Sequence, residues 1–171
     1  AKASEQVTPE DVEAEFEKAT GSAQAKIEHL SGTNRKTLQI SLNRREGLLR
    51  GGQISPAVIG LKRAASQQQA QLFLDSEMST VARDSNIELL EEAVIGTSER
   101  NADRVAANLM TPTDAAIDLI KTTDKLGDAY LAGLFERGEY GTAIELLRSD
   151  PRVKQLSPAI AQRWMGAFVA K

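Results

Sequence analysis

Cysteine is absent from the 171-residue chain, and histidine occurs once, as His29. The first absence excludes disulfides, thiolate metal sites and cysteine nucleophiles. The second excludes every site that needs two imidazoles, from the two-histidine zinc motif on a helix to a carboxylate-bridged di-metal bundle with Glu-x-x-His on two helices. Aromatics are scarce at 4%, and the 41% of hydrophobic residues are mostly Ala and Leu. Base is not in excess either. Twenty-one Lys and Arg against 24 Asp and Glu leave a formal net charge of -3 and a pI near 5.3. A globally basic nucleic-acid coat is therefore excluded, though a local basic patch is not. No apolar run approaches the ~20 residues that span a bilayer. The opening segment, AKASEQVTPEDVEAEFE, is too acidic and polar for a secretory signal. The chain begins on Ala, as a trimmed or excised product would. The expected location is the cytoplasm, or the inside of a macromolecular assembly or virion. No G-x-x-x-x-G-K-[ST] or G-x-G-x-x-G sequence is present, and no cofactor is implied.

What is present reads as helix. A hydroxyl followed by Pro caps free backbone N–H groups and then fills the first turn with a residue that needs no donor there. That pair occurs at Thr8-Pro9, Ser55-Pro56, Thr111-Pro112 and Ser157-Pro158, and acids follow at Asp11 and Asp114, where the positive end of the helix dipole favours them. Ser85-Asn86-Ile87-Glu88 reads as a further capping box. Gly51-Gly52, Gly96, Gly138 and Asp150-Pro151 read as stops. Together these signals predict helices over 9–30, 34–50, 56–83, 86–95, 98–110, 112–137, 139–149 and 158–170, with continuation of 56–83 through 86–95 as one long rod the alternative. The alternating run Thr37 to Leu42 is assigned to helix, because Leu38, Leu42, Arg45 and Leu49 share a helical face and an isolated strand would lack a partner. The fold class is all-α, with six to eight helices. A long helical hairpin or bundle over 1–95 is followed by a compact helical portion over 97–171, with one continuous domain the alternative.

The apolar stripes differ in width. Val12, Phe16, Ala19, Ala23, Ile27 and Leu30 make a narrow one. Val58, Leu61, Ala65 and Leu72 make another. Residues 112–137 carry the widest: Ala116, Leu119, Leu126, Tyr130 and Leu134, flanked by Ile117, Ile120, Leu131 and Phe135, so this helix should be covered on more than one side. Gly138 to Leu147 resembles the turn and second helix of a tetratricopeptide repeat, with Gly opening the turn, Tyr140 and Ala143 packing between helices, and Asp150-Pro151 closing the unit. The resemblance covers about fourteen residues and has no recurrence at the repeat's period, so the segment is expected to form a helical hairpin.

Chemistry-bearing residues admit ordinary readings. Glu10, Asp11, Glu13, Glu15 and Glu17, like Glu91-Glu92, could form acid–base pairs if burial separated their pKa values; on the polar side of a helix they form a solvated, dipole-matched face. His29 near a helix C-terminus is a favourable terminal residue. Gly47, Gly51 and Gly52 with Arg50 could cradle a phosphate, but a Gly-Gly helix stop accounts for them.

Charge asymmetry is the stronger feature. Residues 1–30 hold seven acids against three Lys, net -4, whereas residues 35–63 hold Arg35, Lys36, Arg44, Arg45, Arg50, Lys62 and Arg63 against Glu46 alone, net +6. These seven bases are candidates for contact with nucleic acid or with an acidic partner. Intramolecular or intersubunit pairing with the acids of the first helix is the favoured reading, because no aromatics are interleaved for base stacking. Val12, Phe16 and Ile27 are candidate protein-partner contacts, since narrow stripes bury little area within one chain. Trp164, Met165, Phe168 and Val169 close the chain with an apolar group whose favoured role is core packing; the alternative makes Trp164 and Phe168 candidate anchors for a partner. The expected function is a non-catalytic helical structural or protein-protein interaction module, part of a larger assembly such as a secretion machine or virion. Self-association or a protein partner is expected ahead of nucleic acid. The alternative is a nucleic-acid-binding helical protein using 35–63.

Overall fold

The computed structural model describes residues 7–29 and 32–171, with side chains described outside 32–34. Leu30 and Ser31 lie outside the described residues. Seven α-helices and no strand occur among the described residues: α1 (Pro9–Glu28), α2 (Gly32–Leu49), α3 (Ser55–Asp84), α4 (Ile87–Ala106), α5 (Pro112–Glu136), α6 (Tyr140–Ser149) and α7 (Pro158–Val169). The chain forms two compact units, Ala1–Ala65 and Ser66–Lys171. Gly96-Thr97, where the sequence suggests a boundary, lies inside α4.

In the first unit, α1 starts on the expected cap. Thr8 Oγ1 accepts from the Asp11 N–H at 3.1 Å, and Asp11 returns the bond by accepting from the Thr8 N–H at 2.8 Å. The two helices run antiparallel: the Gln24 and Gln39 amides exchange hydrogen bonds of 3.1 and 2.8 Å, and the Arg50 guanidinium lies 5.2 Å from the Phe16 ring centroid. The expected stop at Gly51-Gly52 does not occur. Arg50–Ile54 form a π-helical turn that leads from α2 directly into α3, and Ser55 has helical φ and ψ instead of capping a new helix. Gly stops a helix by adopting positive φ; here only Gly138 does so among the described glycines, and the wider π turn absorbs the Gly pair. Only Phe16, Ile27 and Val58 are buried hydrophobics in this unit among the described residues.

The second unit holds the core. Leu74 and Val81 of α3, Leu90 and Ala93 of α4, Leu126, Tyr130, Leu131 and Leu134 of α5, Ala143 of α6 and Phe168 of α7 form one buried cluster with Val153 and Leu156. The expected Leu72 face of α3 points outward, with Leu72 63% exposed; the buried positions here are Leu74 and Val81. Ser85 takes φ 39° and ends α3, and the N-cap of α4 is Asn86, whose Oδ1 accepts from the Glu88 N–H at 2.9 Å. The capping box expected from Ser85 does not form, and the cap falls one residue later as a single bond from Asn86. The separate helices expected over 86–95 and 98–110 are one helix, since Gly96 does not interrupt it. That helix ends at Asn108, at φ 57°, where the N–H groups of Asn108 and Leu109 donate to the carbonyls of Val105 and Arg104. The same Schellman geometry ends α5 at Gly138 (φ 74°), with Gly138 and Glu139 donating to Phe135 and Leu134. The α5–α6 hairpin that follows matches the expected one: Ala143 is fully buried, and the Tyr140 ring lies 5.4 Å from Phe135 and 6.2 Å from Phe168. Two carboxylates of α5 hold the chain end in place. Asp124 accepts from the Ser157 N–H at 2.7 Å, and Asp128 accepts from Trp164 Nε1 at 2.6 Å and from Arg163.

Candidate functional site

Two places carry chemistry, one in each unit. The first is the outer side of α2. Lys36, Ile40, Arg44 and Leu48 follow at four-residue spacing and so share a continuous surface stripe. Ile40 is 69% and Leu48 68% exposed, and Lys36, Arg44, Arg35, Arg45 and the more modestly exposed Leu38 all reach solvent. Arg50 is exposed while covering Phe16, and Lys62 and Arg63 are exposed on α3. The expected pairing between the bases of α2 and the acids of α1 is not seen within the chain among the described residues. Among the described residues no ion pair joins α1 to α2, and the paired glutamines bridge them instead. The acids are occupied locally: Asp11 is held below the usual carboxylate range by the Thr8 N–H and hydroxyl, and Glu15 lies 3.5 Å from Lys18.

The candidate partner contacts are placed differently. Phe16 and Ile27 are buried and Val12 is half-buried in the first unit. Phe168 is buried in the second, and Trp164 is half-buried, stacked on Phe168 at 5.4 Å and hydrogen-bonded to Asp128. The aromatic end of the chain therefore packs against its own core, with Phe168 buried and Trp164 keeping part of its surface in solvent. His29 is the exposed C-cap of α1, and Glu91 accepts from Arg152 at 3.3 Å.

The second place is a cleft in the second unit, about 250 Å³ in volume, between α3, α4 and α5. Arg100 and Arg104 of α4 and Lys121 and Lys125 of α5 line it, each pair four residues apart. Asp118 is the one carboxylate in the lining, and it accepts from the Asn101 amide at 3.1 Å. Asn101 is itself buried and donates also to the Ala115 carbonyl at 3.2 Å, which fixes α4 against α5. Arg104 is 9% exposed; its Nη1 reaches Asn101 Oδ1 only at 3.5 Å, and its Nε is buried with no partner. Arg100 lies over the Phe73 ring, and its Nη2 is likewise buried without a partner. Burial pushes the Arg100 guanidinium below its ordinary pKa, partly opposed by Glu77 and Glu99. Sequence reasoning missed this cleft, because its bases are dispersed along two helices among acids and form no run.

Among the described residues no cluster of three or more His, Asp or Glu side chains is placed to hold a metal ion, and no helix is long and apolar enough to cross a membrane. No protein-family model matches the chain, and no curated protein or solved structure is similar to it.

Proposed function

We propose that this protein is a non-catalytic helical interaction module, a component of a larger assembly, that docks an acidic, apolar-faced partner segment on α2. One contrast carries the reading. The first unit buries three hydrophobic side chains among its described residues, while Ile40 and Leu48 of the same unit stand in solvent. Small units with little buried apolar area are marginal on their own and are commonly completed by association. The interspersed Lys36, Arg44 and Arg45, unpaired with α1, select a partner of opposite charge, and such complementarity acts mainly on encounter rate and specificity. The apolar members supply the area that is removed from water.

The test begins with the parent protein as bait in lysate of its native host. The captured chain is purified and titrated back. Ile40→Asp together with Leu48→Asp should abolish this reconstituted binding while leaving the helical circular-dichroism signal unchanged, because both side chains are already exposed. A double variant that binds like the parent overturns the proposal. So does a parent that binds no purified protein and is monomeric by light scattering. Salt-sensitive binding to duplex nucleic acid, with a log–log slope of about -0.9 per phosphate and lost on Arg44→Glu with Arg45→Glu, would replace this reading with the nucleic-acid one.

A further inference from the structure

The structure assigns a second, independent activity to the C-terminal unit: the cleft between α3, α4 and α5 binds a small anion through a phosphoryl or carboxylate group. The argument starts from donors with no acceptor. Arg104 Nε and Arg100 Nη2 are both buried and unpartnered. A charged donor withdrawn from water without a partner is strongly unfavourable, and native structures rarely keep one unless something else supplies the acceptor. Here there are two, on adjacent turns of one helix face, where like charges repel.

The surroundings offset them only in part. Lys121 and Lys125 approach the same cleft from α5 and repeat the like-charge spacing. Asp118, the single carboxylate of the lining, is engaged by Asn101, and Glu77 and Glu99 act on Arg100 from outside the lining. Four cations thus converge on one cavity beside one acid. The remaining polar lining from α3 is neutral: Gln67, and Gln71, whose amide donates to Asp75 at 2.7 Å. Guanidinium groups present forked N–H donors that match the oxygens of phosphate and carboxylate, and lysines add point charges. The cavity, about 250 Å³, lies below the ~300–1,000 Å³ typical of drug-sized ligand sites. It therefore suits a compact anion, such as a phosphate monoester or a small polycarboxylate. All the lining residues belong to the second unit, so the site does not depend on α2 and its proposed partner.

The experiment is calorimetric titration of the full-length chain with sodium phosphate, glucose 6-phosphate and citrate, paired with thermal unfolding in each. Which of the three binds tightest distinguishes a phosphoryl from a carboxylate ligand. Saturable binding is expected, with a rise in Tm that chloride at equal ionic strength does not reproduce. Lys121→Gln with Lys125→Gln, two exposed positions that leave the core intact, should weaken binding at least tenfold. Arg104→Met should abolish it and should also raise the Tm of the ligand-free protein, since it removes a buried charge with no ion pair and one nitrogen unpartnered. The inference is overturned if none of the three anions gives heat or a Tm shift at millimolar concentration. It is equally overturned if chloride matches them, or if the lysine double variant binds as the parent does.

Discussion

Replacing Gly133 with Ala should destabilise the C-terminal unit even though Ala is the better helix former. Gly133 is a buried residue in the last turn of α5, and a Cβ there would overlap the carbonyl oxygen of Ala82 and the hydroxyl of Ser85. The obstacle is the backbone of the last turn of α3. That carbonyl accepts from Ser85 Oγ at 2.9 Å and lies 3.4 Å from Arg137 Nη1, so it is held from two sides. Relief requires α3 to move off α5, and Val81, fully buried one residue away, would lose its packing. Propensity favours the substitution by about 1 kcal/mol in a helix interior. Overpacking of a filled contact opposes it by about 1–3 kcal/mol, with the upper part of the range expected where backbone must shift. The net expectation is a loss of about 1–2 kcal/mol, or roughly 4–8 °C in Tm per kcal/mol for a unit of this size. Gly166→Ala in α7, where the added Cβ meets nothing within 4 Å, is the matched control and should be neutral or stabilising by up to about 1 kcal/mol. Trp164 is the only tryptophan and belongs to the same unit, so urea unfolding followed by its fluorescence reports both variants on one transition. If Gly133→Ala matches or exceeds the stability of the parent, the close approach of α3 to α5 is wrong.

Phe168→Ala should cost about 3–5 kcal/mol, as expected for emptying a core aromatic site; retained stability with lost partner binding would instead make the chain end a docking anchor. Asp150 titrates below the usual carboxylate range because the Arg152 guanidinium and backbone N–H both donate to it. With the folded pKa below the unfolded one, its contribution is complete above the unfolded value of about 3.9 and is lost as pH falls through the folded value. Asp150→Asn should therefore lower the urea midpoint near neutrality and converge with the parent in strong acid, and a constant gap at every pH would contradict the pairing.

Legibility in the sequence followed the range of the interaction. Caps with an acid three residues on were readable: Thr8 with Asp11 and Thr111 with Asp114 close the bonds their spacing implies, whereas Ser157 starts α7 without a side-chain cap bond and Ser55 is itself helical. The hairpin turn at Gly138 was readable because only a residue tolerant of positive φ serves there. Failures came where glycine had more than one use. Gly51, Gly52 and Gly96 stay helical, and the true end of α4 is taken by Asn108, the other residue that enters the left-handed region readily. Apolar periodicity located α5 but not its burial. Leu126, Tyr130, Leu131 and Leu134 are inside, while Ile117 and Ile120 near its start are 45% and 65% exposed. Periodicity reports which residues share a face, and only tertiary packing decides how far along the helix that face is covered.

The two charge features show why a search for runs finds one kind of site and misses the other. The bases of α2 fall in two adjacent pairs, Arg35-Lys36 and Arg44-Arg45, and are therefore conspicuous, yet each stands in water, where a single charge contributes little. Arg100 and Arg104 are unremarkable in sequence: each has acids within a few residues, and residues 97–110 carry no excess of base. Their significance arises from where α4 and α5 bring them, because a charge is energetically expensive in proportion to the water removed from it. A folded chain that buries one nitrogen of each of two guanidinium groups without a partner, gives the one carboxylate of the cleft lining to Asn101, and adds two lysines from the facing helix has concentrated positive potential in a volume sized for a small ligand. Such a site lowers stability when empty and recovers it on binding, so its stability should track anion concentration in a way that the exposed stripe of α2 cannot imitate.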